Sequence, residues 1–284
     1  SGPNFYYKER FESTQADTVG LWHFDEGSGT TTADSSGNGN DGTLLPGTAT
    51  LTLRPNAPGD YTNIPTQYPA SGAQWDKVDD VTPDDAGTYL ENTTVTEQRS
   101  VFHLEDTTQT GTINFVKVYS RFYGDNQGYI REMLRLGTDE TLYSTGHGQS
   151  LAGWHDFNVI LARPGGGNWT WADINNLQVG AGLWASVAGR TMRVTQLYVE
   201  VNYTSAPTWQ SGADCKFSSC LEFDGTDDYV SIGALTGGTT VKTVEFWVYP
   251  DSTTNYFIDL NGSAYISAST GTVSATGFTS PTIY

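Results

Sequence analysis

The sequence predicts an all-β protein made of two sandwiches, one inserted into a loop of the other. Three observations carry this. The 284 residues are rich in glycine (32) and tyrosine (16) and poor in methionine (2), a profile of short strands and tight turns. Runs of four to eight residues alternate apolar and polar side chains, the period of a half-buried strand. Two stretches of the same design, apolar alternation followed by a turn of Gly, Asn and Asp, stand about 175 residues apart.

Residues 1–17 form a polar N-terminal arm with an aromatic cluster, Phe5, Tyr6, Tyr7 and Phe11. The arm is either a frayed terminus or a segment that packs on a neighbouring subunit. The first of the paired stretches follows. In Val19-Gly20-Leu21-Trp22-His23-Phe24-Asp25, Trp22 and Phe24 share one face of a predicted strand. The loop over 27–41 then carries turn formers at nearly every position.

Residues 47–206 read as the inserted β-sandwich. Arg54-Pro55-Asn56-Ala57-Pro58-Gly59-Asp60 opens it as turn punctuation. Strands are predicted over 100–104, 113–122, 128–136, 156–161, 182–187 and 191–203, with the clearest alternation in Ile113-Asn114-Phe115-Val116-Lys117-Val118. One helical turn starts at Thr170-Trp171-Ala172-Asp173, a capping box with Asp in place of Glu. Ile174 and Leu177 face the core of that turn, and Gly180 ends it. Residues 207–284 resume the first sandwich, with strands over 220–232, 240–249, 256–266 and 272–283.

Gly20-Leu21-Trp22-His23-Phe24-Asp25-Glu26-Gly27, the run from Ala33 to Leu44, and Cys220-Leu221-Glu222-Phe223-Asp224-Gly225-Thr226-Asp227-Asp228-Tyr229 together resemble the opening of a LamG-like, concanavalin A-type jelly roll. Phe246-Trp247-Val248-Tyr249-Pro250 resembles that family's strand in which a tryptophan of the sheet core precedes a proline. The resemblance implies a discontinuous jelly roll, 18–46 plus 207–284, that stops before the family's later strands. Such a sandwich is either truncated or unusually small, or is completed by a strand donated from another copy, for which the aromatic arm is the candidate. The insert, on Trp75-Asp76-Lys77-Val78-Asp79-Asp80, Trp169-Thr170-Trp171-Ala172-Asp173-Ile174 and Arg193-Val194-Thr195-Gln196-Leu197-Tyr198, resembles a β-sandwich module common in phage structural and environmental surface proteins.

The net charge of −18, from 32 acidic and 14 basic residues, opposes binding to the polyanions DNA and RNA. No apolar run is long enough to span a membrane as a helix. Cys215 and Cys220 do not match the common zinc spacings and are predicted to form a disulfide, which fits an extracellular or cell-surface setting. Asn92, Asn168, Asn202 and Asn261 begin N-glycosylation sequons.

Two constellations carry chemistry. Asp34, Asn38 and Asp41, with Asp224, Asp227 and Asp228, supply the oxygens that Ca²⁺ prefers, and the LamG-like resemblance implies a calcium at the sandwich rim. The alternative is that these residues make Asx turns. Trp75, Trp154, Trp169 and Trp171 are candidates to stack on sugar rings, against the alternative of core packing. Catalysis has little support: G-x-S-x-G and H-E-x-x-H are absent, and the histidines His23, His103, His147 and His155 are scattered. Glu245 has no acidic partner two residues away, as paired acids on one strand face would require. The sequence therefore predicts a non-enzymatic surface adhesion or binding module with a glycan ligand. The alternative is a structural subunit of a surface filament, pilus or virion appendage assembled by strand donation.

Overall fold

The computed structural model describes residues 18–143, 146–148, 152–212, 215, 219–224, 228–236, 244–249, 255–260, 264–269 and 272–277. The chain divides into two compact units, Gly47–Ser205 and the segments before and after it. Both are β-rich. The only helices among the described residues are one of five residues and a single 3-10 turn, Trp75–Lys77.

The segment before the insert holds β1 (Thr31–Thr32) and β2 (Gly42–Leu45), paired antiparallel. The strand predicted around Trp22 reduces to an isolated bridge between Trp22 and Asp34. Phe24 takes φ 53°, a left-handed conformation that ends an extended run. Trp22 instead donates its indole N–H to the Asn40 carbonyl at 2.7 Å, which closes the turn-rich loop.

The insert contains β3 (Gly47–Leu53), β4 (Pro55–Thr62), β5 (Thr66–Tyr68), β6 (Tyr89–Asn92), β7 (Gln98–Leu104), β8 (Thr112–Asp125), β9 (Gly128–Leu136), β10 (Asp139–Leu142), β11 (Ala152–Leu161), the helix α1 (Trp171–Asn175), β12 (Gln178–Ala185) and β13 (Met192–Ser205). One sheet runs β10-β9-β12-β7-β4. The other runs β11-β8-β13-β6-β5, and β3 pairs with β13. In β8, Val116, Val118 and Phe122 point to the core while Lys117, Tyr119 and Arg121 alternate outward. They join Phe102, Ile130, Leu134, Val179, Leu183 and Val199 in one apolar cluster drawn from both sheets. Each large apolar side chain so buried stabilises the fold by about 1.5–3 kcal/mol relative to its exposed state.

Two predictions inside the insert need correction. Pro55–Thr62 is a strand, not a turn. It lies at a sheet edge, where a missing proline N–H costs no ladder bond, and its register with β7 is broken twice. Gly180 does not end the helix, which stops at Asn175 with Asn176 as its cap. Gly180 lies within β12, where a Cβ would collide with the Ser100 carbonyl of β7. The capping box itself is present. Thr170 Oγ1 accepts from Asp173 N at 3.1 Å, and the Asp173 carboxylate accepts from Thr170 N at 2.9 Å.

After the insert come β14 (Thr208–Ser211), β15 (Ser219–Glu222), β16 (Tyr229–Ser231), β17 (Asn255–Asp259), β18 (Tyr265–Ser269) and β19 (Thr272–Thr276). They form three small sheets, β1-β2-β16, β14-β15 and β17-β18-β19. Few of the described apolar side chains in this unit are buried, chiefly Leu44 and Ala268. Val244 to Tyr249 are not in a strand, and Trp247, expected in a sheet core, is 64% exposed. Among the described residues no strand pairs with that segment, and an unpaired strand has no core face to bury. Cys215 and Cys220 form the predicted disulfide, with a Cα–Cα distance of 5.4 Å.

Candidate functional site

The insert's five-stranded sheet carries a cavity of about 300 Å³, lined by Tyr61, Asn63, Glu97, Gln98, Arg99 and Glu140. Strand alternation builds it. In β9, Ile130, Glu132 and Leu134 point inward, so Arg131 and Arg135 leave by the outer face. Register then places Gly182 of β12 directly between Arg99 of β7 and Arg131 of β9. With no side chain at Gly182, the Glu97 carboxylate lies across the strand there, and a Cβ on Gly182 would run into it.

Glu97 joins both neighbours. Its carboxylate accepts from Arg99 Nε at 2.9 Å and Nη2 at 3.1 Å, and from Arg131 Nη1 at 3.0 Å. Glu140 faces Arg135 across the β9–β10 ladder and accepts from its Nη1 at 2.9 Å. Glu140 also accepts from Arg99 Nη1 at 3.5 Å and from the Tyr61 hydroxyl. Arg135 Nε donates to Asp60 at 2.7 Å. Three guanidinium groups and three carboxylates thus form one fixed lattice.

The electrostatics follow from these contacts. The Arg135 guanidinium beside Asp60 holds its carboxyl below the usual range. Burial, reinforced by Glu140, pushes the Tyr61 phenol up, so it stays a protonated donor. Arg99 and Arg135 are raised by the carboxylates they bind. Beside the lattice Trp184 stacks on Tyr129 at 4.8 Å and carries the Arg131 guanidinium at 5.0 Å. The side-chain amides of Asn63 and Gln98 make no hydrogen bond among the described residues. Asn63 is the lining side chain free to meet a ligand, with donors and an acceptor. Gln98 pairs in register with the core residue Leu183, so its side chain leaves by the opposite face of the sheet.

Both carboxylates of the cavity are committed to arginine and, for Glu140, to Tyr61 as well. A glycosidase needs one carboxyl at the glycosidic oxygen and another at the anomeric carbon or its attacking water. Groups locked to guanidinium on both oxygens suit binding better than proton transfer.

None of the tryptophans singled out from the sequence lines this cavity. Trp75, Trp169 and Trp171 are half-buried against the apolar core. Trp171 also donates to the Gly111 carbonyl at 2.9 Å and meets Tyr203 edge-on. Trp154 contacts Tyr123 at the far end of β8. Gly111 and Tyr123 are twelve residues apart along nearly continuous strand, so Trp154 and Trp171 stand ~40 Å apart and share no groove.

The acidic loops are placed as follows. Asp34 accepts four hydrogen bonds, from Leu21 N, Ser36 N, Ser36 Oγ and Asn40 N. Burial alone would raise its carboxyl, but these bonds together hold it below the usual range. Asp41 accepts from Asp34 N at 2.9 Å, and Asn38 donates its amide to the Thr18 and Val19 carbonyls. Asp224 N lies 3.1 Å from Asp228 Oδ1, and the Asp228 carboxyl is pushed up to about 7 by burial and by the Asp224 charge. Asp227 lies outside the described residues. As placed, the bonds of the first loop form an Asx-turn network. Among the described residues no three His, Cys, Asp or Glu side chains cluster to hold a metal.

Of the sequon asparagines, Asn168 is exposed and Asn202 is half-buried, accepting from Asn114 at 2.9 Å. Asn92 is fully buried and is corrected as an acceptor. Its amide donates to the Thr96 and Leu183 carbonyls, which leaves no nitrogen for a glycan. Asn261, Phe5, Tyr6, Tyr7 and Phe11 lie outside the described residues.

No family model matches the chain, and no curated protein matches it in sequence. Several solved structures resemble part of it in fold. One is TmCBM61 in complex with β-1,4-galactotriose, at 8% identity and TM-score 0.26, covering 40% of this chain and 70% of that one. Another is a family 11 carbohydrate-binding module from Clostridium thermocellum in complex with a β-1,3-1,4-mixed-linked tetrasaccharide, at 13% identity and TM-score 0.27, covering 56% of this chain and 94% of that one. A third is the xylan-binding module CBM15, at 14% identity and TM-score 0.26, covering 55% and 97%.

Proposed function

We propose that this protein is a non-enzymatic, extracellular binding module whose ligand is a glycan held in the cavity of the inserted unit. The observation that carries the reading is the cavity's lining: the free side-chain amide of Asn63 beside a rigid lattice of arginine and carboxylate. A sugar hydroxyl is both donor and acceptor, and an amide matches it in both senses. A lattice already fixed by internal bonds loses little side-chain entropy when a ligand arrives. The volume stands at the small end for ligand sites, which suits one or two sugar units rather than a long chain. The Cys215–Cys220 disulfide is in keeping with an oxidising, extracytoplasmic setting.

The test is a glycan array probed with the labelled chain and with its Arg99→Ala variant, which removes the bridge between Glu97 and Glu140. Retention of a defined set of glycans by the first and their loss from the second is expected. A chain that retains no glycan above background overturns the reading.

A second reading, a filament subunit completed by strand donation, is favoured by a different observation. Trp247, Tyr249 and Tyr256 of the outer unit are 64%, 90% and 73% exposed. Light scattering separates the readings: filaments that fall to monomers when residues 1–17 are deleted favour donation, and a monomer unaffected by the deletion excludes it.

A further inference from the structure

Resting on that reading of the cavity, we infer that the site selects neutral sugars and turns away uronic, sialylated or sulfated ones. The argument is the charge balance of the lattice. Arg99 and Arg131 are held by Glu97, and Arg135 is held by Asp60 and Glu140. Three cations meet three anions, and none of the guanidinium groups is left without a carboxylate.

A carboxylate or sulfate is best recognised by an arginine fork whose donors face it unpaired. Here the Arg99 fork already grips Glu97 through Nε and Nη2, and its remaining amine points to Glu140. An anionic sugar would have to displace one of these carboxylates and leave it beside the newcomer as a like charge. The surrounding field does not help, because the chain carries a net charge of −18. A hydroxyl needs no such exchange. It can bond the Asn63 amide, and the acceptor lone pair that Tyr61 keeps while its proton serves Glu140.

Gly182 is the backbone feature that makes the balance possible. It lies in register between Arg99 and Arg131, and its missing side chain is the space the Glu97 carboxylate occupies. Glu97 is therefore the specificity-determining residue, acting through the two arginines rather than by touching an anion itself.

The experiment uses matched pairs that differ only in the charge at C6: galactotriose with trigalacturonate, and cellotriose with its triglucuronate counterpart, beside an array spanning neutral and acidic glycans. Calorimetry on the intact chain is expected to show at least tenfold tighter binding of the neutral member of any pair that binds. In Glu97→Gln, Arg131 loses its carboxylate partner and the acidic member should gain at least tenfold. Asp60→Asn with Glu140→Gln, which removes both carboxylate partners of Arg135, should shift the preference the same way if Glu97→Gln does not fold, as a thermal melt will show. Equal or tighter binding of the acidic member by the native chain overturns the inference while leaving a glycan site in place. Unchanged preference in both folded variants overturns the role given to the carboxylates. Absence of binding to every glycan on the array removes the glycan reading, and this inference with it.

Discussion

The Glu97 carboxylate occupies the space where a side chain on Gly182 would stand. From there it ties Arg99 of one strand to Arg131 of another, across a third strand that contributes only backbone at Gly182. The cavity's polar wall depends on that single vacancy.

Replacing Gly182 with alanine tests the dependence. The colliding group is the end of a flexible side chain, so the fold should accommodate the methyl with a melting temperature within a few degrees of the native chain. Glu97 must move, and glycan affinity should fall about tenfold, as for loss of one well-placed charged hydrogen bond. Gly180→Ala is the contrast. There the methyl meets the Ser100 carbonyl, which is backbone, and overpacking should cost about 1–3 kcal/mol in urea unfolding.

Glu132 is completely buried. One carboxylate oxygen accepts from Ser120 Oγ at 2.6 Å and lies 2.7 Å from His147 Nε2, while the other has no partner among the described residues. His147→Ala should therefore destabilise the unit by about 3 kcal/mol, because it strips a donor from a buried acid. The double variant Glu132→Leu with His147→Leu should recover most of that loss. Denaturant midpoints of the three proteins check both statements.

Asp173 caps α1 and pairs with Arg163 at 2.7 Å. The Arg163 guanidinium, with Thr170 assisting against burial, lowers its carboxyl to about 2, against an ordinary aspartate value of about 3.9. A carboxyl lowered on folding contributes stability that is complete above the ordinary value and is lost as pH falls through the folded one. The stability gap between the native chain and Asp173→Asn should therefore be constant from pH 7 to about pH 5 and shrink toward zero near pH 2. Thr170→Ala should cost about 1 kcal/mol at neutral pH through the lost cap.

Much of the insert was legible because its strands obey a period of two. Residues 128–136 were read with the bounds that β9 has, and the alternation over 113–122 marks the middle of β8. Thr170 and Asp173 announced the helix start because a capping box is local chemistry. The failures were non-local. Pro55, Pro58 and Gly59 look like a turn to any sequence rule, and only the sheet edge makes them a strand. Gly180 looks like a helix stop because nothing in the sequence shows the Ser100 carbonyl of the neighbouring strand. Trp75, Trp169 and Trp171 were chosen for residue type, yet the core claims much of each ring. The candidate site escaped notice because Glu97, Arg99, Arg131, Arg135 and Glu140 meet only through register. The available signal was Gly180-Ala181-Gly182, a side-chain-free stripe on one face of a strand, next to arginines spaced four apart in β9.

The central claim is that the cavity beside Gly182 is where the glycan binds. The most direct measurement is calorimetric titration of the tightest array ligand into the native chain and into Asn63→Ala. The Asn63 amide has no internal partner among the described residues, so the variant should melt with the native chain. A loss of at least tenfold in affinity at unchanged melting temperature is the predicted result. Full affinity in that variant would contradict the claim and move the binding site elsewhere on the molecule.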